Sequence, residues 1–530
     1  MAKPMITTLS YKQLYLVSFI EGGVVMVTEI AGAKMLTPYF GASLYSWAST
    51  LSITLLALMS GYYYGGYATT KPWYNSADKI LWVFLISGLS VAIMPMLGSF
   101  IMLKTIAFSF FTGLIVSQLL FLFIPIFLMG MISPMIIFQV TKKAELSGRS
   151  AGNIYAISTS GGILFTMCFG FLIIPGYGIS LPVRVLGIAV TALAFILLIR
   201  NKMIRNKITV AFILLVLAIL SLNHYKPRDF PPGSKMRLVD YSEGLLGELR
   251  VVDQLTQKPD GGFVNVRKLR VNNIQQNYVF TDVPSQSLLF YVNFAKQLFR
   301  FIPKKENVLL IGLGAGSLYG VLNKEHSKIE TVEIDQRIYD FGIKYFGMPD
   351  HSNHHITDGR YFINTTKKKY DLIIIDVIIG ESVPGQLLTL ESLKKCGELL
   401  NPGGSLLIES GGLENFSENA FIPSVYKTLQ SAGFLVKMYN PLRKPNFGDI
   451  VFLASKAPLI SDSTLIADDV LIKGGPLSEF SMSLQSFNTK SSRVLTDDLN
   501  YVDVMLKDHY FRVRQSTRKE IASLNASHQY

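Results

Sequence analysis

The sequence predicts two architectures in tandem: an N-terminal α-helical transmembrane bundle of about seven spans, and a C-terminal α/β domain of Rossmann type behind a small β-rich leader. Three observations predict it. Long apolar runs fill the chain up to about His224, whereas later apolar residues come in short bursts among charges and glycines. Between the two regimes lies the stretch 226–233, with Pro227, Pro231, Pro232 and Gly233. One later burst, of strand length, runs straight into a glycine-rich turn at 312–316. The expected divisions are a transmembrane helical domain at 1–225, a linker and β-rich leader at 226–285, and a nucleotide-binding domain at 286–530.

A hydrocarbon layer about 30 Å thick needs about 20 apolar residues of helix. The expected spans are 14–30, 47–68, 80–103, 108–140, 152–174, 181–199 and 210–222. The fourth is long for a single crossing, and Pro125 and Pro134 are expected to kink or break it. Glu21 and Glu29 interrupt the first run and no small-residue cleavage site follows, so it reads as a retained span rather than a signal peptide. Carboxylates inside a bilayer are costly enough to be functional hypotheses, and Glu21 and Glu29 stand eight residues apart, close to one helical face. The alternative is that both lie near the interfaces and snorkel. The glycine-rich stretches 61–66 and 158–162 read as sites of close helix packing.

The net charge of +13 admits nucleic acid as a partner, but much of it sits at the ends of apolar runs, where the expected partner is the headgroup layer of a lipid bilayer; nucleic acid is not expected. With seven spans the basic excess, including Lys12, Lys71, Lys79, Arg149 and Arg200, faces one side and Lys34, Lys104 and Arg184 the other. That favours a cytoplasmic N-terminus and places the C-terminal domain outside. Cys168 and Cys396 fall in different regimes, so no disulfide framework is expected, and no metal site is read.

In the second half, VLLIGLGAGS at 308–317 reads as a buried strand, a turn in which Gly312, Gly314 and Gly316 let the backbone approach a ligand, and the start of a helix. TVEID at 331–335 is a second strand ending in acids at the spacing where such folds hold ribose hydroxyls, with Glu333 the candidate. ITDGR at 356–360 ends a third strand and offers Asp358, followed by Gly359, to an adenine amino group. YDLIIID at 370–376 delivers Asp376 to the carboxyl edge of the sheet, where ligands of open α/β sheets bind. Each acid alone is also explained as a helix cap; the order of all four elements is the specific signal.

On these residues the chain resembles the spermidine synthase family, and more closely its membrane-fused relatives. The resemblance also takes in Glu29 with LTPYFGAS at 36–43, MGMISP at 129–134 and GRSAGNIYA at 148–156. In the second half it takes in the leader at 241–282, GESVP at 380–384, LLT at 387–389, NPGG at 401–404 and LTDD at 495–498. It implies a β-hairpin domain ahead of a Rossmann-like, methyltransferase-type sheet, S-adenosylmethionine or its decarboxylated form as cofactor, nucleotide roles for Glu333 and Asp358, and a base-like role for Asp376. The departures are as informative. Ala315 stands where the soluble family has an Asp that holds the cofactor's free amine, Ile379 where it has a second Asp, Tyr291-Val292-Asn293 where it has Tyr-His-Glu, and Gly247 where the leader has a Gln. The family's diamine clamp is therefore largely missing, which argues against putrescine as the acceptor. Gln275, Tyr291 and Glu381 are the remaining candidates for amine contacts.

The expected function is a membrane-bound transferase that alkylates an amine or another nucleophile, either a small molecule or membrane-associated. The alternatives are a methyltransferase acting on a lipid or small amine, and a transporter or channel whose soluble part senses nucleotide, with Glu21 and Glu29 along a cation path. A multi-pass location in the cell (inner) membrane is expected. Cofactor supply favours a cytoplasmic α/β domain, although the charge distribution argues otherwise; homo-oligomerisation is left open.

Overall fold

The computed structural model describes residues 9–41, 43–71, 74, 78–141, 143–201, 205–224, 235–244, 246–257, 261–324, 327–378, 382–411, 413–444, 446–469 and 471–526. The expected substrate residue Glu381, its neighbour Ile379 and the expected boundary stretch 226–233 lie outside the described residues. Contacts divide the chain into one unit of Met1–Arg228 with Glu243–Gly247, and another of Asp229–Ser242 with Glu248–Tyr530.

The first unit is helical: α1 (Tyr11–Phe40), α2 (Leu44–Thr69), α3 (Asp78–Thr105), α4 (Phe110–Phe121), α5 (Phe123–Val140), α6 (Ser147–Met167), which runs through a π-turn at Cys168–Ile173 into α7 (Ile174–Tyr177), then α8 (Ser180–Arg200) and α9 (Arg205–Leu220). Among the described residues, six helices are long and apolar enough to cross a membrane, and two more apolar helices are shorter. α1 begins at a reciprocal cap, the Gln13 N–H donating to Ser10 Oγ while the Ser10 N–H donates to Gln13 Oε1, and it ends at Gly41. The long fourth run bends at Leu122, because Pro125 has no N–H to donate to the Phe121 carbonyl. Leu122, between the two helices, keeps right-handed helical dihedrals. Pro134 stays inside α5.

Helices pack where glycine removes the side chain. A Cβ on Gly22 would lie 2.0 Å from the Ser158 carbonyl oxygen and one on Gly161 1.8 Å from that of Phe19, locking α1 against α6; Gly61 and Gly65 do the same between α2 and α5. Glu21 is 1 % exposed at the α1, α5 and α6 contact, where the hydroxyls of Ser133 (3.2 Å) and Ser158 (3.0 Å) donate to its carboxylate. Glu29 is only part-buried, so the two acids do not share one environment.

The second unit opens with an antiparallel sheet of β1 (Met236–Gly244), β2 (Gly247–Gln257), β3 (Phe263–Val271) and β4 (Ile274–Phe280) in sequential order. After α10 (Phe290–Phe299) come β5 (Asn307–Ile311), α11 (Ser317–Lys324), β6 (Lys328–Glu333), α12 (Gln336–Phe346), β7 (His354–Ile356), α13 (Gly359–Thr365), β8 (Tyr370–Ile375), α14 (Leu390–Leu399), β9 (Leu400–Glu409), β10 (Leu413–Glu414), α15 (Phe421–Ser431), β11 (Leu435–Tyr439), β12 (Phe447–Gly448) and β13 (Val451–Ser455). The main sheet has the order β11-β13-β9-β8-β5-β6-β7, parallel from β9 to β7, with β13 antiparallel to β9 and β11. Both faces are covered, one by the cluster containing Ile311, Ile375 and Ile408, the other by that containing Leu310, Ile374, Leu407 and α10. Strand order reverses between β5 and β8, the switch point at which such sheets leave a crevice.

Candidate active site

The glycine turn leaves β5 and Asp376 leaves β8, so the two sides of the switch point supply the first two parts of the site. They touch through the backbone: the Asp376 N–H donates to the Ile311 carbonyl at 2.9 Å, and a Cβ on Gly312, at φ +84°, would lie 2.0 Å from the Asp376 carbonyl oxygen. Gly312 thus permits the close approach of β8. Gly314, also at positive φ, has nothing within 4 Å of the position its Cβ would take, and there the turn opens to a ligand. Gly316 packs on Met348, and Gly359 on Ile311, so both serve packing.

Glu333 closes the turn from β6. It is 6 % exposed and accepts three backbone N–H groups, Leu313 at 3.0 Å on Oε2, Ile334 at 2.8 Å and Asp335 at 3.1 Å on Oε1. Burial outweighs these bonds and pushes its carboxyl up to about 7. Asp358 caps α13, its Oδ1 accepting the Tyr361 N–H at 2.9 Å, so the helix-cap reading holds for that oxygen.

Asp376 receives a hydrogen bond from the Tyr291 hydroxyl of α10 at 3.0 Å, and burial raises its carboxyl to about 7. The same burial, with the carboxylate beside it, holds the Tyr291 hydroxyl well above its ordinary value, so it stays a donor. Val292 is buried in the core, and the Asn293 side-chain amide donates to the Ser287 and Leu289 carbonyls; of this trio only Tyr291 meets Asp376. Gln275 is exposed on β4, without a hydrogen bond to Asp376 or Tyr291.

Two acids escaped the sequence reading. The strand register sets Ile375 of β8 against Ile408 of β9, and Glu409 against Val451 of β13. Strand alternation then brings Asp376, Glu409 and Asp449 to one edge, on the face that carries Ile374, Leu407 and Val451. Glu409 is 4 % exposed; its Oε1 accepts the Gly411 N–H at 2.6 Å and its Oε2 has no hydrogen-bond partner. Burial and the neighbouring acids raise the Glu409 carboxyl well above its ordinary value, and burial raises that of Asp449 to about 6. The positions of the family's diamine clamp are changed in the sequence, and β9 and the segment before β13 bring other carboxylates to this edge. A signal for Glu409 was present, since SLLIE at 405–409 repeats the pattern of an apolar strand ending in an acid seen at 370–376.

Ala315 also takes a definite place. It is 1 % exposed among Leu249, Val251, Leu269, Phe341 and Phe346, packed between the leader sheet and α12.

The spermine/spermidine synthase domain family matches residues 295–451. The polyamine aminopropyltransferase of Vibrio vulnificus is 33 % identical over 140 residues, covering 25 % of this chain and 47 % of that protein. The N-terminal histidine N-methyltransferase of Emericella nidulans is 27 % identical over 157 residues, 28 % of each chain. The chain thus spans about half the length, or less, of these curated relatives. Among solved structures, a probable spermidine synthase from Corynebacterium glutamicum has 18 % identity over 47 % of this chain and 92 % of its own, with a TM-score of 0.37. The family match is carried by the strands and turns that build this site, and over residues 295–451 the chain is similar to the spermine/spermidine synthase domain family.

Proposed function

We propose that the protein is a membrane-bound transferase that alkylates an amine, using S-adenosylmethionine or its decarboxylated form. The observation that carries this reading is the Tyr291–Asp376 pair beside the open face of the glycine turn. The residues present fit the nucleotide: Gly314 borders open space, Glu333 has lone pairs left beyond its three backbone bonds, and Asp358 keeps one carboxylate oxygen outside its cap. When bound, the sulfonium supplies an electrophilic carbon and a neutral thioether leaving group. Tyr291 fixes the Asp376 carboxylate by its donated hydrogen bond. Asp376 would orient the attacking amine and take its proton. With its carboxyl raised to about 7, Asp376 is a better base than an exposed aspartate, and its ionised, base-competent form predominates above about pH 7.

The membrane part rests on the six long apolar helices and on large apolar side chains carried on their outer faces, such as Leu55, Met59, Phe171 and Leu172, each more than 60 % exposed. A cytoplasmic α/β domain fits the cofactor's supply, and a multi-pass inner-membrane location fits the helices. Methyl transfer from intact S-adenosylmethionine is a second reading, supported by the similarity to an N-terminal histidine N-methyltransferase. The test incubates purified full-length protein with each sulfonium and a panel of amines. Methylthioadenosine formation identifies aminopropyl transfer and S-adenosylhomocysteine formation identifies methyl transfer. Product formation with neither sulfonium, with or without membrane extract, refutes the transferase.

A further inference from the structure

The transferase mechanism leaves the polar interior of the helical unit without a task. Glu21 of α1 is 1 % exposed, and the hydroxyls of Ser133 on α5 and Ser158 on α6 both donate to its Oε2, at 3.2 and 3.0 Å. Among the described residues, its Oε1 accepts no hydrogen bond. Sequence stretches with no part in the transferase converge here: Ser133 belongs to MGMISP at 129–134, and Ser158 opens the glycine-rich stretch 158–162. The backbone is built for this approach, because a Cβ on Gly22 would lie 2.5 Å from Ser158 Oγ. A buried carboxylate requires a compensating positive charge. Among the described residues, no lysine, arginine or histidine pairs with Glu21, and Tyr62 of α2, which stands near both Glu21 and Tyr155 of α6, brings none. Thr28, about two turns along the same face of α1, is 1 % exposed and its hydroxyl has no hydrogen-bond partner, so the polar stripe continues past Glu21.

We infer that Glu21, Ser133 and Ser158 form a binding site for one sodium ion inside the helical unit. A single carboxylate supplies one negative charge, which a monovalent cation balances and a divalent cation exceeds. All three side chains offer oxygen, the donor that hard cations take. A serine hydroxyl that donates its proton to Oε2 keeps its lone pairs for the ion, and Oε1 is free to bind it as well. The bound ion supplies the compensating charge and ties α1, α5 and α6 together at one point. Glu29 lies about 12 Å further along α1, in a part-buried position, and stays outside the site. The inference goes beyond the transferase reading and stands whether or not that reading holds.

The experiment uses the full chain in lipid nanodiscs and measures the binding of radioactive sodium, with choline holding the ionic strength constant. The wild-type protein is expected to bind sodium saturably, one ion per chain, and to unfold at a higher temperature in sodium than in choline. Glu21→Gln, which keeps an oxygen to accept the serine hydroxyls, is expected to abolish both the binding and the temperature difference. Ser133→Ala and Ser158→Ala are each expected to weaken sodium by about tenfold or more, and Glu29→Gln to bind it as the wild type does. A wild-type protein without saturable sodium binding, as for a carboxylate that carries only a proton, overturns the site. Binding that survives Glu21→Gln, or that is lost in Glu29→Gln, overturns it too. If Glu21→Gln does not fold, the alanine variants decide: full sodium affinity in both refutes the site.

Discussion

Replacing Glu333 by glutamine tests the nucleotide site through two opposite pH dependences. Burial raises this carboxyl from 4.5 to about 7 in the folded chain, a difference of about 3 kcal/mol at 1.36 kcal/mol per pH unit. Below about pH 4.5 folded and unfolded chains both hold the proton, and the whole contribution is present. As pH rises towards about 7 the unfolded chain releases its proton first, and that stability is lost. Nucleoside affinity runs the other way: ribose hydroxyls donate to the ionised carboxylate, so affinity increases by up to about tenfold per pH unit until about pH 7 and then levels off. Glutamine keeps one acceptor oxygen and turns an amide NH2 towards either the Leu313 N–H or the Ile334 and Asp335 N–H pair, leaving at least one buried donor unpaired at about 1–3 kcal/mol. It also loses charge-assisted bonds of about 1.5–3 kcal/mol to the ribose, so nucleoside binding weakens more than about tenfold. Calorimetry with methylthioadenosine between about pH 5 and about pH 8, beside amide exchange of β5 and β6 in the full chain, measures both. Since Asp376 and Asp449 titrate in the same range, the informative quantity is the difference between wild type and variant. Undiminished affinity in Glu333→Gln, or a wild-type affinity that does not change with pH, refutes the assignment.

Asp376→Asn is expected to lower turnover by about a hundredfold to ten-thousandfold with nucleoside affinity retained; normal turnover would mean that the amine loses its proton to water. Tyr291→Phe removes a hydrogen bond that favours ionised Asp376, so the rise of turnover with pH, centred near 7, moves to higher pH; an unmoved profile rejects the pairing. Ala315→Asp, which by family analogy restores an amine-holding acid, is instead expected to destabilise the α/β unit by about 1–3 kcal/mol, because it buries a carboxylate among Leu249, Val251 and Phe346; thermal unfolding at the wild-type temperature would show that the side chain finds water. Gly312→Ala sets a Cβ against the Asp376 carbonyl at a left-handed backbone position and is expected to cost at least about 2 kcal/mol in the same assay.

Local chemistry made part of the site legible. An apolar strand, a glycine turn and acids at the ends of successive strands occupy short contiguous segments, and parallel strands end at the same edge of a sheet, so Gly312, Glu333 and Asp376 come together whenever these segments form strands. Apolar run lengths likewise outlined the helices of the first half, although α9 is a helix of 16 residues and the long fourth run bends at Leu122. The glycine stretches read as packing sites did become close helix contacts at Gly61, Gly65 and Gly161, since a missing Cβ acts wherever a backbone can approach.

Only the tertiary structure decided what lies opposite those residues. Asp449 comes to the edge because β13 runs antiparallel to β9 in a register that sets Val451 against Glu409; a shift of one residue would turn the side chains of β13 to the other face. Ala315 read as a vacancy where an acid had been lost, but the leader sheet and α12 close over it and make it core. Gln275 passed for an amine contact by sequence position, yet the leader exposes it. The sequence by itself determined which segments become strands and helices and which acids end them, because those depend on neighbours along the chain. Register, strand direction and the covering of one face by another element depend on long-range packing, and these decided which carboxylates share the site.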